Sequence, residues 1–319
     1  MQYKKWILLF TFLYSWCTIE QTTENVCKLQ KQKGNGRMIR LSAFSDEAGA
    51  GLTEQIEALQ ANGIPMTELR SVEQVNVQDL SLATARDYAA RLASEGIGVS
   101  AIGSPIGKIC VREDLRAYEE KLKHVCELAE VFGTEKIRVF SFYEAWDERE
   151  RVLDAMRRMV EIAATFGVTL YHENEKGIYG DTAERVMDLY KNVPGLRFVY
   201  DPANFLQVGE PADRTLREVF PICTHFHMKD VDAASGELVP VGYGSGRVGE
   251  LLGALPEDAI LTLEPHLAVF SGCAEIDGAP MKHRFHFTSG REAFVHAAQA
   301  LIKVLLAAGY TQTQEGFVR

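Results

Sequence analysis

Val168-Thr169-Leu170-Tyr171-His172-Glu173, Leu196-Arg197-Phe198-Val199-Tyr200-Asp201, Ile222-Cys223-Thr224-His225-Phe226-His227 and Ala259-Ile260-Leu261-Thr262-Leu263-Glu264 are four apolar runs of one design. Each has the length of a strand and closes on a carboxylate or an imidazole. The stretch between each run and the next is one strand–helix unit long. A chain that alternates strand and helix can close into a barrel, and such barrels carry their chemistry at the C-terminal ends of the strands. If the runs are neighbouring parallel strands, Glu173, Asp201, His227 and Glu264 converge on one point. Three carboxylates and an imidazole make a mostly hard donor set for a divalent ion, Mn²⁺ first, with Mg²⁺, Co²⁺ or Zn²⁺ also suited. A single carboxylate at a strand end is more often a salt bridge or a helix cap. Four in consecutive strands point to a metal.

Working outward, the same alternation extends back to Met38. Strands are predicted at 39–44, 66–70, 98–102 and 137–142, ahead of the four quoted runs. Helices are predicted at 53–62, 81–94, 112–132, 148–166, 182–191, 215–219, 248–254 and 291–308. In the third of these, Leu115, Tyr118, Leu122, Val125 and Val131 share helical spacing. Eight strands with helices between them imply right-handed crossovers and a parallel sheet, hence an α/β fold of the (β/α)8 TIM barrel type. A doubly wound open sheet is the alternative, but no G-x-G-x-x-G follows the first strand. Residues 38–319 read as one domain. Ala268–Ser289 lacks periodicity and is expected to form a long loop over the barrel mouth.

The chain has 319 residues, is 46% hydrophobic and 24% charged, and carries a net charge of −10. That balance suits a large soluble domain and argues against a nucleic-acid groove, which needs a basic face. No membrane span is expected, and a homo-oligomer is left open. The six cysteines show no C-x-x-C spacing and read as thiols in a reducing compartment. Residues 1–37 do not match the rest. Lys4 and Lys5 precede the apolar run Trp6–Trp16, as in a secretory leader, but no small-x-small cleavage site follows. The alternative is an over-called start with Met38 the initiator, favoured because the barrel begins at once after it. On that reading the protein is cytoplasmic; with a true signal peptide in residues 1–17 it is secreted.

Neighbours of the four strand ends are candidates for substrate contact. Asn204, three residues after Asp201, could bind substrate, support a ligand or cap a helix. Lys229 shares the parity of His227 and lies beyond it, so it could reach substrate or pair with Asp230. His266, two past Glu264, could line the mouth. Glu68 and Arg70 end the second strand with one parity. Lys108 sits in the loop Gly103-Ser104-Pro105-Ile106-Gly107-Lys108, where a solvated lysine is the blander reading. Glu175 is a rival ligand placed two residues further on than Glu173, and His225 is expected one layer below His227.

The segments Tyr171-His172-Glu173-Asn174-Glu175-Lys176-Gly177, Asp201-Pro202-Ala203-Asn204, His225-Phe226-His227-Met228-Lys229-Asp230 and Leu263-Glu264-Pro265-His266-Leu267 resemble the sugar phosphate isomerase/epimerase family. These are xylose isomerase-like TIM barrels that include the ketose 3-epimerases. The resemblance covers Met38 to Ala308. It implies one divalent ion held by Glu173, Asp201, His227 and Glu264, a sugar or keto-sugar substrate, and proton exchange by Glu173 and Glu264. Two departures bear on the substrate. The ketose 3-epimerases carry a glutamate and an arginine after the seventh-strand histidine, where Lys229 and Asp230 stand here. They carry a histidine after the sixth-strand aspartate, where Ala203 and Asn204 stand. Within the same barrel, a keto-inositol-type dehydratase is the alternative. An endonuclease IV-like enzyme is a weaker one, because its three zinc ions need more histidines than these strand ends supply.

Overall fold

The predicted strands pair edge to edge and close on themselves. The computed structural model describes residues 38–268, 285–313 and 315–319. The barrel strands are β1 (Met38–Ala43), β2 (Met66–Leu69), β3 (Gly98–Gly103), β4 (Lys136–Val139), β5 (Thr169–Glu173), β6 (Arg197–Tyr200), β7 (His225–Met228) and β8 (Ala259–Leu263). Each is parallel to its neighbours, and β8 returns to β1 with Ile39 opposite Ala259 and Ala43 opposite Leu263. The ring is the closed barrel of a (β/α)8 fold. Residues 1–37, and most of the stretch expected to cover the mouth, lie outside the described residues.

The helices form where apolar residues recur at helical spacing. In α1 (Leu52–Ala61), α2 (Leu82–Ser94), α3 (Leu115–Val131) and α4 (Arg149–Thr165), apolar residues of one stripe are buried. In α4 that stripe is Val152, Leu153, Met156, Met159, Ile162 and Ala163, all buried. Starts are set by side chains that accept otherwise unpaired N–H groups. Ser81 accepts from Thr84 N, and Asp114 from Arg116 N. After α5 (Ala183–Asn192), the chain adds a helix that the sequence reading did not anticipate, α6 (Pro202–Gln207), before α7 (Ala212–Glu218). Asp201 caps α6 and Pro202 opens it, a pairing that favours a helix start. The seventh strand begins later than expected, because Phe220–Ile222 forms a 3₁₀ turn. The barrel is completed by α8 (Val248–Ala254) and α9 (Gly290–Ala307). Among the described residues, no helix is long and apolar enough to cross a membrane.

Two features separate the ends of the barrel. At the N-terminal end, Phe317–Val318 pairs antiparallel with Met38 and Ile39, and Phe317 is buried there. At the C-terminal end, the loop after β3 is tied to the loop after β4. Phe140 N–H donates to Ile106 O and Phe142 N–H to Gly107 O, at 2.8 and 2.9 Å. Gly107 has φ +96, and a Cβ there would lie 2.1 Å from Phe140 O. By contrast Gly133, with φ +67, has nothing within 4 Å of a Cβ. Gly133→Ala is therefore expected to cost about 1 kcal/mol of stability from φ strain alone. Gly107→Ala should cost clearly more, as read from urea unfolding midpoints at equal m.

Candidate metal centre

Strand alternation turns Glu173, His225, His227 and Thr262 toward the barrel axis, and the next residues in phase, Asp201 and Glu264, lie just past the ends of β6 and β8. Glu173, Asp201 and His227 are fully buried, and Glu264 is 3% exposed. His227 Nδ1 lies 3.0 Å from Glu173 Oε1 and 3.2 Å from Glu264 Oε2. One donor atom from each of Glu173, Asp201, His227 and Glu264 falls within 4.8 Å of all the others.

The other oxygen of each carboxylate is committed to the surrounding protein. Asp201 Oδ1 accepts from Asn204 N–H at 2.9 Å as the cap of α6. Arg138 donates to Glu173 Oε2 at 2.7 Å. Arg70 donates to Glu264 Oε1 at 3.3 Å. Each acid thus has one scaffold-facing oxygen and one inward-facing oxygen. Asp201 Oδ2 is buried and faces the Lys229 ammonium at 2.9 Å, and the buried His227 Nδ1 makes no hydrogen bond among the described residues. A ring nitrogen lone pair facing two carboxylates is repulsive unless a proton or a cation stands between them. Inward oxygens and an unpaired imidazole nitrogen at this spacing fit a divalent ion, with distances of about 2.0–2.2 Å expected for nitrogen and oxygen donors.

His227 is oriented from behind. Its Nε2 faces Glu68 Oε2 at 3.2 Å. The same Glu68 oxygen takes His225 Nε2 at 2.7 Å and the Thr262 hydroxyl at 2.9 Å. A carboxylate on the far nitrogen orients the ring and turns Nδ1 toward Glu173 and Glu264. Glu68, expected to meet substrate, is therefore engaged beneath the imidazoles at 1% exposure. A strand-end parity match could not distinguish the two, because Glu68 lies one residue inside the end of β2.

The remaining sequence candidates divide in the same way. Asn204 donates to Glu173 Oε1 at 3.2 Å and to Asn174 O at 2.9 Å, so it supports a ligand while its own N–H is capped by Asp201. Lys229 Nζ lies 2.9 Å from Asp201 Oδ2 and 3.4 Å from Glu264 Oε2. Asp230 is not its partner: that carboxylate accepts the backbone N–H groups of Val231, Gly242, Gly244 and Gly246 and pins the following loop. His266 Nε2 sits 3.3 Å from Glu264 Oε1, and its backbone N–H donates to Glu47 at 2.8 Å. Lys108 pairs with Glu175 at 3.2 Å and packs over the Phe140 ring, so Glu175 serves that lysine at the rim.

Arg138, Asp46 and Glu47 escaped the sequence reading. Arg138 has inward parity in β4 and is 5% exposed, and an arginine at a core position was the available signal. Asp46 and Glu47 hold Arg70, with Asp46 bidentate at 2.9 and 3.0 Å. Phe44 stands between the two arginines. Arg70 lies 4.3 Å and Arg138 5.3 Å from its ring centroid, and its edge meets His227 at 5.2 Å.

The electrostatics follow from this packing. Burial raises a carboxyl pKa, but at Glu173 the opposing fields of His227 and Arg138 prevail and hold it at about 2. Glu264 is likewise kept well below the usual range, against burial, by Lys229, His266 and His227. Asp201 goes the other way. Burial, with Glu264 and Glu173 adding to it, pushes it to about 7 despite Lys229. Among the three acids, Asp201 is thus the one whose charge the protein alone compensates least. Glu68→Gln is expected to keep the fold and weaken Mn²⁺ or Co²⁺ binding about 10–100-fold, because an uncharged amide oxygen is a weaker acceptor for the two imidazoles and the hydroxyl that share it. Lys108→Ala, measured by the same titration, should leave that affinity unchanged.

Comparison with known proteins follows the fold. A family model described as the xylose isomerase-like TIM barrel matches residues 56–268. No curated protein matches the chain by sequence. Among solved structures, a D-psicose 3-epimerase determined in the presence of D-fructose superposes with a TM-score of 0.66 at 15% identity, covering 85% of this chain and 99% of that one. A probable 3-DHS dehydratase from Bacillus anthracis gives 0.64 at 18% identity, covering 82% and 98%. A xylose isomerase-like barrel from Mycobacterium smegmatis in complex with magnesium gives 0.60 at 16% identity, covering 85% and 97%. At such identities the likeness speaks for the fold. With two thirds of its length matched by the family model and its barrel closed in the same way, the chain belongs to the xylose isomerase-like TIM barrel family.

Proposed function

We propose that this protein is a divalent-metal-dependent isomerase or epimerase that moves a proton next to the ketone of a small sugar or keto-sugar. The carrying observation is the convergence of Glu173, Asp201, His227 and Glu264, each offering a donor atom to one point at the barrel mouth. A divalent ion bound there supplies Lewis acidity toward a carbonyl and its neighbouring hydroxyl, which favours an enediolate. Asp201 and His227 act as ligands. His227 presents Nδ1 because Glu68 holds Nε2, and Asp201 presents Oδ2 because α6 takes Oδ1. Glu173 and Glu264 come from β5 and the end of β8, separated around the ring by β6 and β7. One is assigned to take the proton and the other to return it, a contribution of about 10²–10⁴-fold for this kind of acid–base help. Lys229 and His266, beside Glu264, are the residues assigned to substrate oxygens, and Asn204 keeps Glu173 in place.

One observation favours a second reading, a dehydratase on the same barrel. Both glutamates have an oxygen bound to an arginine, Arg138 for Glu173 and Arg70 for Glu264. Epimerisation asks both carboxylates to exchange protons with carbon, whereas loss of water asks one to take the carbon-bound proton and leaves the departing hydroxyl to be protonated by that same acid or by a neighbour such as His266. The similar barrel of a probable 3-DHS dehydratase makes that chemistry a concrete rival.

A panel of ketoses and keto-sugars in D₂O with added Mn²⁺, followed by proton NMR, tests both readings. Loss of a carbon-bound proton signal without loss of water supports the first. Formation of an unsaturated or deoxy product supports the second, and no exchange with any substrate contradicts both. In the first reading, Glu173→Gln and Glu264→Gln should each lower turnover by at least about 10²-fold while leaving thermal unfolding intact. Near-normal activity in either variant would count against the assigned role.

A further inference from the structure

We propose that Lys229 is a built-in competitor for the divalent ion, holding with its ammonium the same inward-facing oxygens that the ion must take. The proposal rests on the metal centre proposed above. Lys229 is fully within the site, at 3% exposure, and its Nζ lies 2.9 Å from Asp201 Oδ2 and 3.4 Å from Glu264 Oε2. Neither carboxylate can offer its other oxygen instead. Asp201 Oδ1 is fixed by the first turn of α6, and Glu264 Oε1 by Arg70 and His266. The neighbouring Asp230 cannot draw the ammonium away, because its two oxygens accept four backbone N–H groups.

Two cations therefore converge on one pair of oxygens. An ion within coordination distance of both would stand close to Nζ in a buried site, where like charges repel strongly. Binding requires the ammonium to leave those oxygens. Without an ion, the same ammonium offsets part of the charge of three buried acids. This makes Lys229 a residue that keeps the empty centre stable at the expense of metal affinity. Once displaced it is a positive charge held beside the ion.

The test uses the full chain after chelator treatment, titrated with Mn²⁺ and separately with Co²⁺. It compares wild type with Lys229→Met, Lys229→Gln and Lys229→Arg. The uncharged variants are expected to bind Mn²⁺ at least about tenfold more tightly, since a buried competing charge has been removed. Lys229→Arg should stay near wild type. Thermal melts give a second readout: the rise in Tm on adding Mn²⁺ should be larger for the Met and Gln variants, because their metal-free forms lose a counter-charge. An uncharged variant that folds only with Mn²⁺ present would also support the proposal. Equal or weaker Mn²⁺ binding by both uncharged variants would overturn it. Tight wild-type binding that the variants leave unchanged overturns this inference alone. No binding by any form overturns the metal centre and this inference together.

Discussion

The structure turns on the burial of several carboxylates within a few ångströms of one another. Glu68, Glu173, Asp201 and Glu264 are all at or below 3% exposure. Isolated charges in such a place are prohibitively costly, so each must be paired, hydrogen-bonded or neutralised. The chain meets that demand with buried cations and hydrogen-bond donors. Arg138 takes Glu173, Arg70 takes Glu264, His225 and His227 share Glu68, and Lys229 bridges Asp201 and Glu264. Much of the mouth of the barrel is organised around that compensation. Asp46 and Glu47 stand where they do because Arg70 needs partners, and Phe44 because two guanidinium groups need a flat apolar surface.

This arrangement also explains why the two halves of the barrel contribute different things. Strands β5 to β8 bring the inward-facing donors. Strands β2 and β4, with the turn after β1, bring residues that bind the backs of those donors: Glu68 behind His227, Arg138 behind Glu173, Arg70 behind Glu264. A site held from behind by rigid strands keeps its geometry without help from ligand, which is the main structural requirement for both metal binding and catalysis.

Much of this was legible in the sequence, and the part that was not has a physical reason. The barrel followed from apolar runs spaced one strand–helix unit apart, and the convergent donors from the residue closing each run. Those signals are local. The partners behind the donors are not. Glu68 meets His227 across 159 positions and Arg70 meets Glu264 across 194, so no spacing in the chain announces either contact. Parity placed Glu68 on the correct face of β2 but not at the correct depth, which is why it looked like a substrate residue. The helix α6 was missed because its start coincides with a residue already read as a strand end. Asp201 is both, with one oxygen for the helix and one for the site. Arg138 was passed over although its inward parity in β4 was available, because its partner Glu173 lies 35 positions away.

The double use of each carboxylate has a further consequence for the chemistry. With one oxygen of Glu173 on Arg138 and one of Glu264 on Arg70, neither side chain can rotate freely to follow a proton between faces of a substrate. A base held in this way is accurate in position and costs little reorganisation, but it is confined to one direction of approach. On the proposed reading, a substrate would have to fit the fixed carboxylates. Lys229 and His266, beside Glu264, are as deeply enclosed as the acids they face, whereas Lys108 pairs with Glu175 at the rim. The centre is fixed by the requirement that its buried acids never stand uncompensated.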